Sequence, residues 1–186
     1  MHSLTVEASP AYREALEAVA ELLDKLRIEY VFVGEVAVAG WFATLVDDGA
    51  VDVLAAVSPE GSGQIPMMAG HRGFIVSRED IEATQELDLI PLRFPAGENE
   101  IRIHVLIASN ALYGNLIRDG VVARMGERNL RIVSAEDLAL LLTVGGSGDD
   151  LRLRNELILR VGASFDSERM NRRMTAIGLG GKMIHR

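Results

Sequence analysis

The stretch Tyr30–Val57, YVFVGEVAVAGWFATLVDDGAVDVLAAV, decides the fold. It begins as a short apolar run typical of a buried strand, breaks at Gly34 and continues as a helix whose many small residues predict close packing. An acidic turn follows, and then a second apolar run that holds one carboxylate, Asp52. Many phosphate-binding sites have this order, because glycine and a helix N-terminus let backbone N–H groups approach a phosphate.

Composition places the chain among ordinary globular proteins. Of its 186 residues, 48% are hydrophobic and 25% are charged, and the net charge is -8. The absence of cysteine excludes disulfides and cysteine catalysis, and the acidic balance argues against a broad nucleic-acid surface. The sequence shows neither a membrane span nor a signal peptide, so we expect a cytoplasmic protein without a membrane partner.

The pattern along the chain predicts a mixed α/β fold, with helices packed on a mixed sheet. Ser9-Pro10 opens an amphipathic helix, and LDLIPLRF and IRIHVLIA, separated by PAGENE, form a hairpin. A capping pattern at Ser77 predicts a helix to about Glu86. SNALYGNLIRDG is a further helix, VVARM and NLRIVS are a strand pair, and helices follow. We expect a domain over residues 1–160 and a helical, basic and partly disordered tail over residues 161–186.

Several segments together resemble the minimal nucleotidyltransferase-fold proteins, especially the AbiEii-like toxin and antitoxin nucleotidyltransferases. They are VFVGEVAVAG, AVDVLAAV, IRIHVLIA, VSAEDLALLLTVGG and DDLRLRNELI. The match is strongest over Ser134–Leu157, where order, spacing and capping agree together. The resemblance implies a nucleotidyltransferase-like mixed sheet flanked by helices, with a C-terminal helical segment.

The family resemblance also implies a site in which three carboxylates hold divalent ions and a Gly-Gly or Gly-Ser turn approaches the phosphates of a nucleotide. Gly34 matches the first glycine, and Glu35 replaces the second small residue. Asp52 matches the second acid of the Asp-x-Asp motif, but Ala50 occupies the position of the first acid. His104 occupies the position of the third. Magnesium prefers carboxylate oxygens, so the loss of the first and third acids leaves the expected metal site with too few ligands.

Each candidate residue also has an interpretation without chemistry. Glu35 can complement the dipole of the helix that it begins, or act as an unusual metal ligand. Asp48 can join Asp52 as a metal ligand after a one-residue slip, or lie in a solvated acidic turn. His104 can bind a softer transition metal, or be a hydrogen-bonded histidine on a half-buried strand. Alternation along that strand predicts that Arg102 lies on the same face as His104.

Two other motifs have weaker functional interpretations. GGSGDD lacks the Gly-Lys-Ser/Thr of a phosphate-binding loop and predicts a turn between helices. The basic residues near the C-terminus predict a local patch that can contact RNA or an acidic partner; they are Arg169, Arg172, Arg173, Lys182, His185 and Arg186. A nucleic-acid partner is expected, if at all, through this patch.

Two hypotheses follow. The first is a nucleotidyltransferase-fold protein with lost or weakened catalysis, acting as a binding or regulatory module and related to toxin–antitoxin pairs. The second is an active, divergent nucleotidyltransferase that transfers a nucleoside monophosphate to a protein, RNA or small-molecule hydroxyl, with Mg²⁺ as its cofactor. A nucleotide, a protein partner or a second copy of the chain are the candidate partners. A plain dimerisation module on the same fold is compatible with either.

Overall fold

The computed structural model describes residues 4–80, 82 and 88–179. The chain divides into two compact units, Met1–Ile132 and Val133–Arg186. The predicted domain boundary at residue 160 stays a prediction, since compactness alone does not define a domain.

The helices and strands follow each other along the chain in nearly the order that the sequence predicts. The strands are β1 (Glu7–Ala8), β2 (Tyr30–Phe32), β3 (Leu45–Val46), β4 (Val51–Ala55), β5 (Leu89–Ala96), β6 (Asn99–Ile107), β7 (Val121–Met125) and β8 (Arg128–Ile132). The helices are α1 (Pro10–Lys25), α2 (Gly34–Phe42), α3 (Pro59–Ser62), α4 (Gln64–Gly70), α5 (Ala111–Arg118), α6 (Ala135–Gly145), α7 (Gly148–Val161) and α8 (Ser167–Ala176), with a 3₁₀ turn at Gly162–Ser164. The short strands β1 and β3 pair with each other in parallel and were not predicted.

The first unit is built on a mixed sheet with the strand order β5-β6-β4-β2-β8-β7. The pairs β4–β6 and β2–β8 are parallel, whereas β5–β6, β2–β4 and β7–β8 are antiparallel. The mixed sheet, the β5–β6 hairpin and the β7–β8 pair confirm the predicted architecture. Both outer strands are partly covered: Ile75 bridges to Arg93 on β5, and Thr5 bridges to Arg124 on β7.

Helices α1 and α2 are held by small and aliphatic residues. The apolar face predicted for α1 is buried, including Leu16, Val19 and Leu23. In α2, a Cβ on Gly40 would lie 2.5 Å from Ile132 Cδ1, so the helix packs onto the sheet through this glycine. The close packing predicted for this small-residue helix is confirmed.

The helix predicted from Ser77 is described only at its start. Ser77 and Asp80 form the expected capping box, with each backbone N–H donating to the other residue's side chain, and residues 78–80 are helical. Most of the remainder, to Glu86, lies outside the described residues.

The second unit is helical, and its caps agree with the sequence. The Ser134 hydroxyl accepts from the backbone N–H of Asp137 at the start of α6. Ser147 and Asp150 form a capping box at the start of α7. GGSGDD therefore joins two helices, as predicted.

A buried ionic cluster ties α8 to α6 within this unit. Asp137 has a fully buried side chain, and its Oδ2 lies 3.0 Å from Arg169 Nη2 and 2.8 Å from Ser134 Oγ. Its Oδ1 pairs with Arg173, whose side chain is 12% exposed. Two residues of the predicted basic patch, Arg169 and Arg173, therefore pair with a buried carboxylate of the protein itself. Lys182, His185 and Arg186 lie outside the described residues.

Candidate functional site

Strand pairing brings Asp52 and His104 together. β4 and β6 run parallel with Asp52 directly opposite His104, so both side chains project from the same face of the sheet. His104 Nδ1 lies 2.8 Å from Asp52 Oδ1, and each side chain is 33% exposed. A carboxylate only accepts hydrogen bonds, so Nδ1 carries the hydrogen and Nε2 is the nitrogen left for another partner.

Gly34 brings the backbone against the Asp52 carboxylate. Its φ is +57°, and a Cβ at this position would lie 2.8 Å from Asp52 Oδ2. The left-handed conformation and the close approach both require glycine. Gly34, at the start of α2, is therefore in contact with Asp52 on β4. Next to it, just after the end of β2, the backbone N–H of Val33 donates to the Asp52 carbonyl.

Glu35 and Asp48 are both exposed. Glu35 lies in the first turn of α2, where a carboxylate complements the helix dipole. Its Cγ lies 3.8 Å from the position that a Cβ on Gly49 would occupy, so its stem packs along the turn before β4. Asp48 lies in that same turn. Their predicted roles in nucleotide and metal binding stay predictions.

The side chain of Tyr12 contacts this turn, and the sequence did not predict the contact. Its hydroxyl donates to the Gly49 carbonyl across 2.8 Å, from α1 to a residue 37 positions later. Partial burial, followed by the charges of Asp48 and Asp47, raises the pKa of Tyr12, whereas the nearby Arg102 acts to lower it. No local sequence pattern marks Tyr12, because its contact with Gly49 depends on how α1 packs against the turn.

Arg102 lies on the same strand as His104, two residues earlier. Both project from the solvent-facing side of β6, while Ile101, Ile103 and Val105 are buried on the other side. The predicted alternation of this strand is confirmed. The sequence placed Arg102 on this face but assigned it no role.

The side chains at this site do not fit the three-carboxylate metal centre implied by the resemblance. Asp52 supplies one carboxylate, and its Oδ1 is already bonded to the His104 ring. Ala50 and His104 occupy the two other positions. In the described ranges, no three His, Cys, Asp or Glu side chains are grouped so that they could hold a metal ion. We therefore assign no reaction step to a metal.

No helix in the described part of the chain is both long and apolar enough to cross a membrane.

Comparison with known proteins supports the fold. No family model and no curated protein sequence matches the chain. Among solved structures, the chain is similar to an antigenic nucleotidyltransferase-like protein from Paracoccidioides brasiliensis, with a TM-score of 0.58 and 15% identity over 92% of this chain and 88% of that one. It is also similar to the antibiotic-resistance factor ANT(2″)-Ia, with a TM-score of 0.50 and 12% identity over 91% of this chain and 93% of that one. The chain therefore has a nucleotidyltransferase-like fold.

Of the residues predicted for the site, the structure brings Gly34, Asp52 and His104 into one group. Glu35 lies beside this group at the start of α2, and Asp48 lies in the turn between β3 and β4. The structure adds Tyr12, which the sequence did not indicate, and Arg102, which the sequence placed on the correct face.

Proposed function

We propose that this protein is a nucleotidyltransferase-fold binding module whose metal-dependent catalysis is lost or strongly weakened. The single observation that carries the proposal is the pairing of Asp52 with His104. In the resembling family, the strands that here carry these residues supply acids to divalent ions, whereas here the two side chains satisfy each other.

Charge explains why this replacement weakens the chemistry. Divalent ions neutralise a triphosphate and stabilise the leaving pyrophosphate, and they need several hard oxygen ligands to be held in place. An imidazole and an alanine in place of two carboxylates remove two negative charges and at least two oxygen donors. The lysine that the family often carries on the helix after the site is also missing, since Leu142 and Thr143 occupy its position.

The retained geometry supports a binding role. Gly34 has a positive φ and adds no side chain beside Asp52 at the start of α2, and a glycine at such a turn lets backbone N–H groups approach a phosphate. The group is partly exposed, so a ligand can reach it. We further propose membership of the AbiEii-like group, with a regulatory role related to toxin–antitoxin pairs in the cytoplasm and a nucleotide, a protein partner or a second copy of the chain as ligand.

One observation favours an alternative, an active and divergent nucleotidyltransferase. An imidazole oriented at Nδ1 by a carboxylate presents Nε2 as a general base, which can take the proton of an attacking hydroxyl. In this alternative His104 accepts that proton and Asp52 positions the ring, with Mg²⁺ supplied at a site completed by substrate phosphates.

Calorimetric titration with nucleoside triphosphates, with and without Mg²⁺, separates the two functions when it is combined with an assay for pyrophosphate release. A binding module binds nucleotide without releasing pyrophosphate. Release of pyrophosphate that requires Mg²⁺ and disappears in Asp52→Ala would overturn the proposal in favour of the alternative. Asp149→Ala, at an exposed position on α7, is the matched control.

A further inference from the structure

The paired arginines Arg93 and Arg102 have different electrostatic surroundings. They lie directly opposite each other on β5 and β6, and like charges in this arrangement destabilise a sheet. Arg93 is compensated by Asp80 at 3.0 Å and by Glu100 at 3.3 Å. Arg102 is exposed and close enough to Tyr12 to act on the pKa of its hydroxyl, but its side chain has no ion pair or hydrogen bond with any residue of the described part of the chain.

The other neighbour of Arg102 offers no compensation. Val51 on β4 pairs with Ile103 on β6, so the residue beside Arg102 on the β4 side is Ala50. In the resembling family a carboxylate stands there. The guanidinium is thus exposed on a face where one flanking position is an arginine and the other an alanine.

His104 completes a pair of donors with Arg102. Residues two apart on a strand share a face and have Cα atoms about 6.5 Å apart. Asp52 accepts from Nδ1 of the ring, and when the imidazole is protonated Nε2 also carries a hydrogen on this face, which it donates to a phosphate oxygen. A phosphate group is large enough to contact a guanidinium and an imidazole at this spacing, and arginine binds phosphate oxygens in a bidentate way.

We propose that Arg102 and His104 bind the phosphate group of a phosphate monoester, such as a nucleoside monophosphate, directly and without a divalent metal. The inference rests on the proposed function and deepens it by naming the ligand class. The positive charge that metals supply in the resembling family is supplied here by the Arg102 guanidinium, assisted by the His104 imidazole.

Neighbouring acids favour a single phosphate over a triphosphate. Asp52 lies beside His104, and Asp47 and Asp48 are close enough to Tyr12 to raise its pKa. A bound monoester brings about two negative charges to the Arg102 guanidinium and its surroundings, whereas a metal-free triphosphate brings about four, and the added charges meet these carboxylates. We therefore expect AMP to bind at least as tightly as ATP when metal is absent.

Calorimetry in EDTA with AMP, inorganic phosphate, adenosine and ATP tests the proposal on the full chain. AMP is expected to bind, and Arg102→Gln to weaken its binding at least tenfold. His104→Gln is expected to weaken it by a smaller factor. Binding of inorganic phosphate but not adenosine identifies the phosphate as the recognised group, whereas equal binding of adenosine and AMP would overturn the proposal.

Arg124→Gln is the matched control, because Arg124 is also an exposed strand arginine but lies on β7. It is expected to bind AMP as the wild type does. The proposal fails if the wild type binds no AMP in EDTA, if Arg102→Gln binds AMP normally, or if both arginine variants lose binding equally. These outcomes are independent of pyrophosphate release, which decides the proposed function.

Discussion

Asp52 and Asp137 are carboxylates on well-packed elements, but they have opposite surroundings. Asp137 is fully buried and is held by two arginines and a serine from α8 and the start of α6. Asp52 is one-third exposed, has His104 as its side-chain partner among the described residues, and lies against the backbone of Gly34. Both carboxylate oxygens of Asp137 are bound within the protein, whereas Asp52 and its partner His104 are each one-third exposed and within reach of a ligand.

The difference distinguishes a carboxylate that stabilises the fold from one that is available for binding. A buried carboxylate must be compensated in full, because an unpaired charge in the interior is very costly. A partly exposed carboxylate is compensated by water and contributes little to folding, so its position is free to serve binding. Three substitutions test this separation.

Asp137→Ala is expected to have the largest effect. It leaves Arg169 and Arg173 without their internal carboxylate, and breaking a buried ion pair costs about 3 to 5 kcal/mol. Chemical denaturation of the variant measures the loss in the free energy of unfolding.

Asp149→Ala is the control for this substitution, since the Asp149 side chain is 87% exposed at the start of α7. It is expected to cost about 0.5 kcal/mol through the helix dipole. Equal losses in the two variants would show that the buried cluster contributes no more than a surface charge.

Gly34→Ala is expected to have an intermediate effect. A left-handed conformation costs a non-glycine residue about 1 to 2 kcal/mol, and the new Cβ also meets Asp52 Oδ2 at 2.8 Å. Besides the loss of stability, the NMR signals of the His104 ring are expected to shift, because the displaced carboxylate alters its bond to Nδ1.

Gly126→Ala isolates the conformational part of this cost. Gly126 has a φ of +58°, close to that of Gly34, but its Cβ would meet nothing within 4 Å. Gly34→Ala is expected to be the more destabilising of the two, and an unchanged His104 spectrum in Gly34→Ala would contradict the close approach to Asp52.

Asp52→Ala is expected to have the smallest effect on stability, below about 1 kcal/mol, because the pair that it breaks is partly solvated. The His104 ring signals are nevertheless expected to shift strongly, since Nδ1 loses its acceptor. If denaturation instead shows a loss similar to that of Asp137→Ala, Asp52 is a structural acid and its assignment to a binding site is wrong.

Local sequence patterns were sufficient for most of the fold. The spacing of apolar residues in α1, the glycine that begins α2 and the serine caps at Ser77 and Ser134 are short-range signals, and the structure confirms each of them. The β5–β6 hairpin was predictable because its two strands are adjacent in the chain.

Long-range pairing limited what could be predicted for the site. The sequence selected Asp52 and His104 separately, but their contact depends on the parallel register of β4 and β6, across 52 residues. The bond from Tyr12 to Gly49 depends in the same way on how α1 packs. The buried Asp137 was missed as well, although Arg169 and Arg173 are four residues apart and so share one face of a helix.

The two edges of the sheet have a consequence for association between molecules. Edge strands expose unpaired backbone groups that other chains can join, and proteins protect them with prolines, short bridges and charges. β5 contains Pro91 and Pro95 and is bridged by Ile75 at Arg93, while β7 is bridged by Thr5 at Arg124. Because proline has no N–H to donate, β5 is a poor template for a new strand. The edges of this sheet are thus protected against the addition of strands from other molecules, while its face presents Asp52 and His104.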